Sequence, residues 1–162
     1  MINIGSDRAY PTAKKAFIIV GFSDICLMAG VILSGILGGT LNISGMHLSC
    51  GGLSSAAFIL LIVGALAKAG SMPFHTWIPN AAVDSPLPFM AFFPAAIEKV
   101  LGIYLLSRIC LDIFKLEASS AMSTLLMAIG ALTIILAVMM ALIQKDYKRL
   151  LSYHAISQVG YM

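Results

Sequence analysis

Four ionisable residues stand inside long apolar runs: Asp24, Lys68, Glu98 and Lys99. At a bilayer centre each would cost a few kcal/mol on translocon-type scales, so such groups face a bundle interior or a hydrated cavity. From the rise of a helix, Asp24 lies about 12 Å deep, with Lys68 within a turn or two of that depth. Glu98 and Lys99 lie about 15 Å in. Acids and amines sharing one central layer are the groups that lateral proton hopping requires. Each also has a plainer reading. Lys68 could snorkel from a helix end, and Asp24 could simply make a polar contact between helices. Glu98 and Lys99 could form a neutralised pair, but neighbours on a helix point about 100° apart, so each calls for its own partner on another helix.

Two histidines extend this set. His75 lies among prolines in the segment SMPFHTWIPNAAVDSPLP, where it reads either as a proton relay or as a hydrogen-bonded structural residue beside Trp77. His154 follows Arg149 by about a turn and is the second histidine candidate; His47 sits in a Gly/Ser-rich loop and reads as solvated.

The elements that must position these groups are membrane spans. Of 162 residues, 60% are hydrophobic and 10% charged, with a mean hydropathy of +0.98. A soluble domain is about a quarter charged, so this chain has too few charges to cover a water-facing surface. Runs of about 20 apolar residues predict an all-α bundle with spans over 16–37, 53–70, 89–110 and 119–143 and a partial helix from 150. Residues 150 to 162 are too few to cross a bilayer, which leads us to expect a single membrane domain that continues beyond this chain. Pro73 should end the second helix, since proline lacks a donor and restricts the residue before it. The interruption is expected between Gly70 and Pro79, with Lys68 on the last turn before it and unpaired carbonyls close by. Broken helices at membrane depth are a transporter device.

Other classes are disfavoured. The three cysteines, Cys26, Cys50 and Cys110, form no C-x-x-C pair and no cluster with histidine, which argues against a metal, an iron–sulfur centre or a disulfide framework. The net charge of +3 is scattered and does not suggest nucleic acid. The first ten residues are polar and the apolar run after them is long enough to span, unlike a signal peptide. Lysine and arginine collect at one end, as Arg8, Lys14, Lys15, Lys145, Lys148 and Arg149, against Arg108 and Lys115 at the other. The N-terminus and the 144–149 turn are therefore expected on the cytoplasmic side of the inner membrane.

The segments AKAGSMPFHTWIPNA, Lys148-Arg149-Leu150-Leu151 and SQVGYM, in this order and spacing, resemble the antiporter-like membrane subunits of respiratory complex I. The same family includes subunits of energy-converting hydrogenases and formate hydrogenlyases and the large subunits of Mrp-type cation/proton antiporters. The resemblance implies a larger fold of inverted repeats, of which this chain supplies about the sixth to the tenth helix. It places Lys68 on the family's central lysine, Asp24 on an acidic position of the preceding helix and Lys148 on the lysine opening the tenth helix. Where some members have histidine this chain has Pro94, and Lys99 would take that relay place from one turn along. The glutamate expected on the fifth helix lies outside this chain.

The function implied is a proton- or sodium-translocating subunit of a redox-driven complex. It would hold no cofactor itself, neighbour other membrane subunits, and connect indirectly to cofactor-bearing peripheral subunits. An Mrp-type antiporter subunit is the first alternative, and a non-conducting truncated scaffold the second.

Overall fold

A computed structural model describes residues 9–49, 51–92, 96–117 and 119–162. Those residues form helices joined by short turns, with no strand among them. Helix α1 (Ala9–Gly38) starts earlier than its apolar run, because Pro11 is tolerated in a first turn. Lys14 and Lys15 are therefore helical rather than in a leading loop. Helix α2 (Leu53–Ala69) returns along α1. After a short 3₁₀ turn, Phe74–Trp77, the chain resumes as α3 (Ile78–Asp84). The helix α2 thus ends before Pro73, and the terminator is Gly70. This glycine adopts a left-handed φ of 79°, and its N–H and that of Ser71 close onto Ala67 and Leu66 carbonyls. Those carbonyls, expected to be free beside Lys68, are therefore used.

Helix α4 (Leu87–Phe92), which starts two residues earlier, and α5 (Glu98–Arg108) occupy the stretch expected as the third span, 89–110. Residues 93–95, with Pro94, and also Arg8 and Cys50, lie outside the described residues. A π turn, Ile109–Ile113, ends α5, with Arg108 paired to Asp112 at 2.7 Å. Helix α6 (Ala121–Leu142) is capped by the Ser120 side chain, which accepts from Ser123 N–H. Helix α7 (Tyr147–Tyr161) begins three residues before Leu150, because the Asp146 carboxylate accepts the Lys148 N–H and starts the helix there. Lys148 and Arg149 thus occupy its first turn.

Among the described residues, three stretches, Ala9–Gly38, Leu53–Asp84 and Ala121–Leu142, are long and apolar enough to cross a membrane. Successive helices alternate direction. The Leu48 N–H bonds the Ile113 carbonyl at one end, and Thr12 bonds Asp84 at the other. Two apolar clusters hold the bundle. One is centred on Phe58, Leu61, Ile62, Ile109 and Phe114; the other gathers Trp77, Ile78, Ala81, Ala137 and Ile156 around the second half of the broken helix. Lys68 falls between them along the chain. Gly102 lets α5 approach the end of α2, since a Cβ there would enter the backbone of Ala69.

Candidate ion-relay site

The break exists because Gly70 reverses the backbone and a proline turn follows, and it leaves Lys68 one residue from the end of α2. The Lys68 ammonium lies 2.7 Å from Oδ1 of Asp24 on α1. The two side chains are 32% and 45% exposed in this chain, so the pair stands at an edge of the bundle that these helices leave uncovered. Glu98, at the start of α5, feels the charges of both Lys68 and Asp24. Asp24 thus pairs directly with Lys68, and Glu98 on a third helix is a second acid within electrostatic influence of the pair.

Lys99 points elsewhere. Its ammonium donates to the Ala155 carbonyl on α7 at 2.6 Å. It also lines a cleft of about 210 Å³ together with Tyr147, Lys148, Ser152, Ile78, Ala82 and Met90. Lys148 and Lys99 thus line one cleft, although the two are far apart in sequence. His75 is buried beside Tyr153, with ring centroids 6.3 Å apart, and its Nδ1 has no hydrogen-bond partner. The Trp77 Nε1 is likewise buried and unpartnered, so the two neighbours are not joined by a bond. His154 lies on an exposed face of α7, and its backbone carbonyl serves Ser157. His47 stands in its exposed loop 3.4 Å from the Lys115 ammonium.

Helix α1 grips both halves of the broken helix. Asp24 holds the first half through Lys68. Lys15 donates to the Thr76 carbonyl at 3.1 Å, and Thr12 donates to the Asp84 carboxylate at 2.6 Å, holding the second. The cation on a carbonyl of the break is thus Lys15, which sequence reasoning counted only among the loop charges. Asp84 and Tyr153 were also missed. The charge of Asp84 directly after the apolar Ala81-Ala82-Val83 run was the available signal for the first contact; nothing in sequence spacing joins Tyr153 to His75. Among the described residues no group of three His, Cys, Asp or Glu side chains is placed to hold a metal ion.

A broken membrane helix with a paired lysine at its breakpoint defines a polytopic membrane protein of the transporter-like class. The chain belongs to the NADH:quinone oxidoreductase/Mrp antiporter membrane family, which it matches over residues 1–162. It is 35% identical over its whole length to a Na(+)/H(+) antiporter subunit of Alkalihalophilus pseudofirmus, of which it covers 34%. It is 34% identical to an NADH-quinone oxidoreductase subunit of Pseudomonas aeruginosa, matching over 93% of this chain and 25% of that protein. Its fold is that of a chain in the Mrp complex from Dietzia, with a TM-score of 0.85 at 22% identity over 97% of this chain and 29% of that one. A chain of the membrane-bound sulfane sulfur reductase, an archaeal respiratory membrane complex, is similar at a TM-score of 0.80 and 27% identity, over 96% and 32%. The chain thus spans about a quarter to a third of these relatives. They are membrane subunits of multisubunit complexes.

Proposed function

We propose that these helices carry the central relay of a proton- or sodium-translocating membrane subunit, in a redox-driven complex whose electrons travel through other subunits. The observation carrying this reading is the Lys68–Asp24 pair, 2.7 Å long, at the end of a broken membrane helix. A lysine in that position holds its proton while its counter-charge is close. Moving the pair apart, or neutralising Asp24 or Glu98, leaves an ammonium in an apolar setting and favours release. Lys99 and Lys148, sharing one cleft, extend the route, and His75 beside Tyr153 is a side branch at the break. The uncovered side of the Asp24–Lys68 pair is where the glutamate implied by the family resemblance would approach. The excess of Lys14, Lys15, Lys145, Lys148 and Arg149 at one end supports a cytoplasmic N-terminus and 144–149 turn at the inner membrane.

A second reading, a stand-alone cation/proton antiporter driven by an ion gradient, is favoured by the match over the whole chain to an antiporter subunit. Both readings use Lys68 in the same way. The test is proton uptake by vesicles holding the intact complex, with substrate turnover followed in parallel. Lys68→Ala is expected to abolish or strongly reduce uptake while turnover continues. Wild-type uptake in that variant rejects the relay. Uptake that needs an imposed sodium gradient and no electron donor selects the antiporter reading.

A further inference from the structure

We propose that a buried hydroxyl pair, Ser71 with Thr133, latches the break to α6 and positions Lys68 for its exchange with Asp24. The inference rests on the relay reading above and adds two positioning residues to it. Neither side chain would touch the transported ion.

Ser71 is the residue on which the break turns. Its N–H bonds the Leu66 carbonyl at 3.0 Å and closes α2, while its carbonyl accepts the Phe74 N–H at 2.9 Å and opens the 3₁₀ turn. Its hydroxyl is 3.0 Å from the Thr133 hydroxyl. Ser71 is 2% exposed and Thr133 is fully buried. The direction of the bond follows from proton counting. Thr133 has one hydroxyl proton and donates it to the Ile129 carbonyl at 2.8 Å, so Ser71 donates to Thr133. The other acceptor in reach of Ser71 is its neighbour's Met72 carbonyl, at 3.5 Å, too long for a good bond.

The placement has a mechanical consequence. Helix α6 has no charged side chain and packs chiefly on α7, so its polar hold on the broken helix is this pair. Ser71 follows Lys68 by three residues, across a glycine at positive φ. Glycine resists rotation least, and the latch fixes what Gly70 leaves free. With the bond made, the last turn of α2 is held between Asp24 on α1 and Thr133 on α6. Met72 and Phe74 pack against the two apolar clusters on either side of the turn, but with the bond lost no polar contact from Ser71 fixes the turn to α6, and the Lys68 ammonium is no longer returned to one place.

The measurement is ion uptake per turnover by the intact complex in vesicles, read with a pH-indicating dye. Thr133→Val keeps the shape and removes the acceptor; Thr133→Ser keeps the hydroxyl. Ser71→Ala removes the donor. We expect Thr133→Val and Ser71→Ala each to fall below half of the wild-type ratio with turnover preserved, and Thr133→Ser to restore it. The double variant should be no worse than either single one, because both remove the same bond. Wild-type coupling in Thr133→Val overturns the latch, as does equal loss in Thr133→Val and Thr133→Ser, which would mean packing alone. Additive losses in the double variant overturn it too. If Thr133→Val does not assemble, Ser71→Ala, which deletes a single oxygen, decides by the same ratio. Lys68→Ala separates the two ideas: normal uptake there removes the relay reading, whereas loss there with normal Thr133→Val removes only the latch.

Discussion

At the residue scale the pairing of Lys68 with Asp24 carries a definite chemical burden. A membrane-depth ammonium and carboxylate stabilise each other only while they stay together, since breaking such a pair strands both charges. Asp24→Asn keeps the shape and removes the charge, leaving Lys68 with Glu98 as its remaining acid. Ion uptake in vesicles is expected to drop roughly tenfold, the effect of about 1.4 kcal/mol, with the complex still assembled. Unchanged uptake would mean that Asp24 is a spectator. The types of these residues were legible in the sequence, because charge in an apolar run is conspicuous. Several partners were not. Lys99 on the Ala155 carbonyl, Lys15 on Thr76 and Ser71 with Thr133 join residues dozens of positions apart, and helical periodicity gives a face without naming what meets it. The isolated polar residues Thr12, Ser71 and Thr133 also carry no charge cost large enough to draw notice.

At the element scale the break is the working part, and its construction differs from the reading based on proline. The interruption falls where it was expected, from Gly70 onward, but proline is only the louder signal in sequence: the left-handed Gly70, and not Pro73, stops α2. The start of α7 was displaced for a similar reason. Hydropathy begins at Leu150, whereas the cap at Asp146 begins the helix. Apolar patterning locates the interior of a span and is blind to capping, which depends on one side-chain oxygen. Asp146→Ala is expected to remove about 1 kcal/mol from that first turn, seen as faster amide exchange at residues 147–149; unchanged protection would show the cap to be idle. Gly102→Leu addresses the other half of the arrangement. The new side chain must displace the backbone of Ala69, so we expect a loss of about 1–3 kcal/mol, the usual cost of overpacking, read as a lower unfolding midpoint of the purified complex. An unaltered midpoint would mean that α5 does not press on the end of α2.

At the scale of the whole molecule, Lys145 and Lys115 flank opposite ends of α6, and the proposed topology, which rests on the excess of basic residues, assigns the end with Lys145 to the cytoplasm. Lys145→Cys should therefore react with a membrane-impermeant thiol reagent only from the cytoplasmic side, and Lys115→Cys only from the opposite side. The reverse pattern would invert the proposed topology and the direction of transport with it. The broad architecture was legible because bilayer thickness forces long apolar runs, and the family resemblance extended it to a larger assembly. The uncovered edge beside Asp24 and Lys68 was not legible, since periodicity marks the faces of each helix but not which of them meet.

The central claim is that Lys68 exchanges a proton rather than merely supplying a positive charge. Lys68→Arg tests it most directly, because arginine keeps the charge and the reach to Asp24 but does not give up its proton. The measurement is proton uptake by vesicles containing the intact complex, at matched substrate turnover. Uptake near that of Lys68→Ala is the expected result; uptake restored to the wild-type level by arginine would contradict the account and make Lys68 a structural cation.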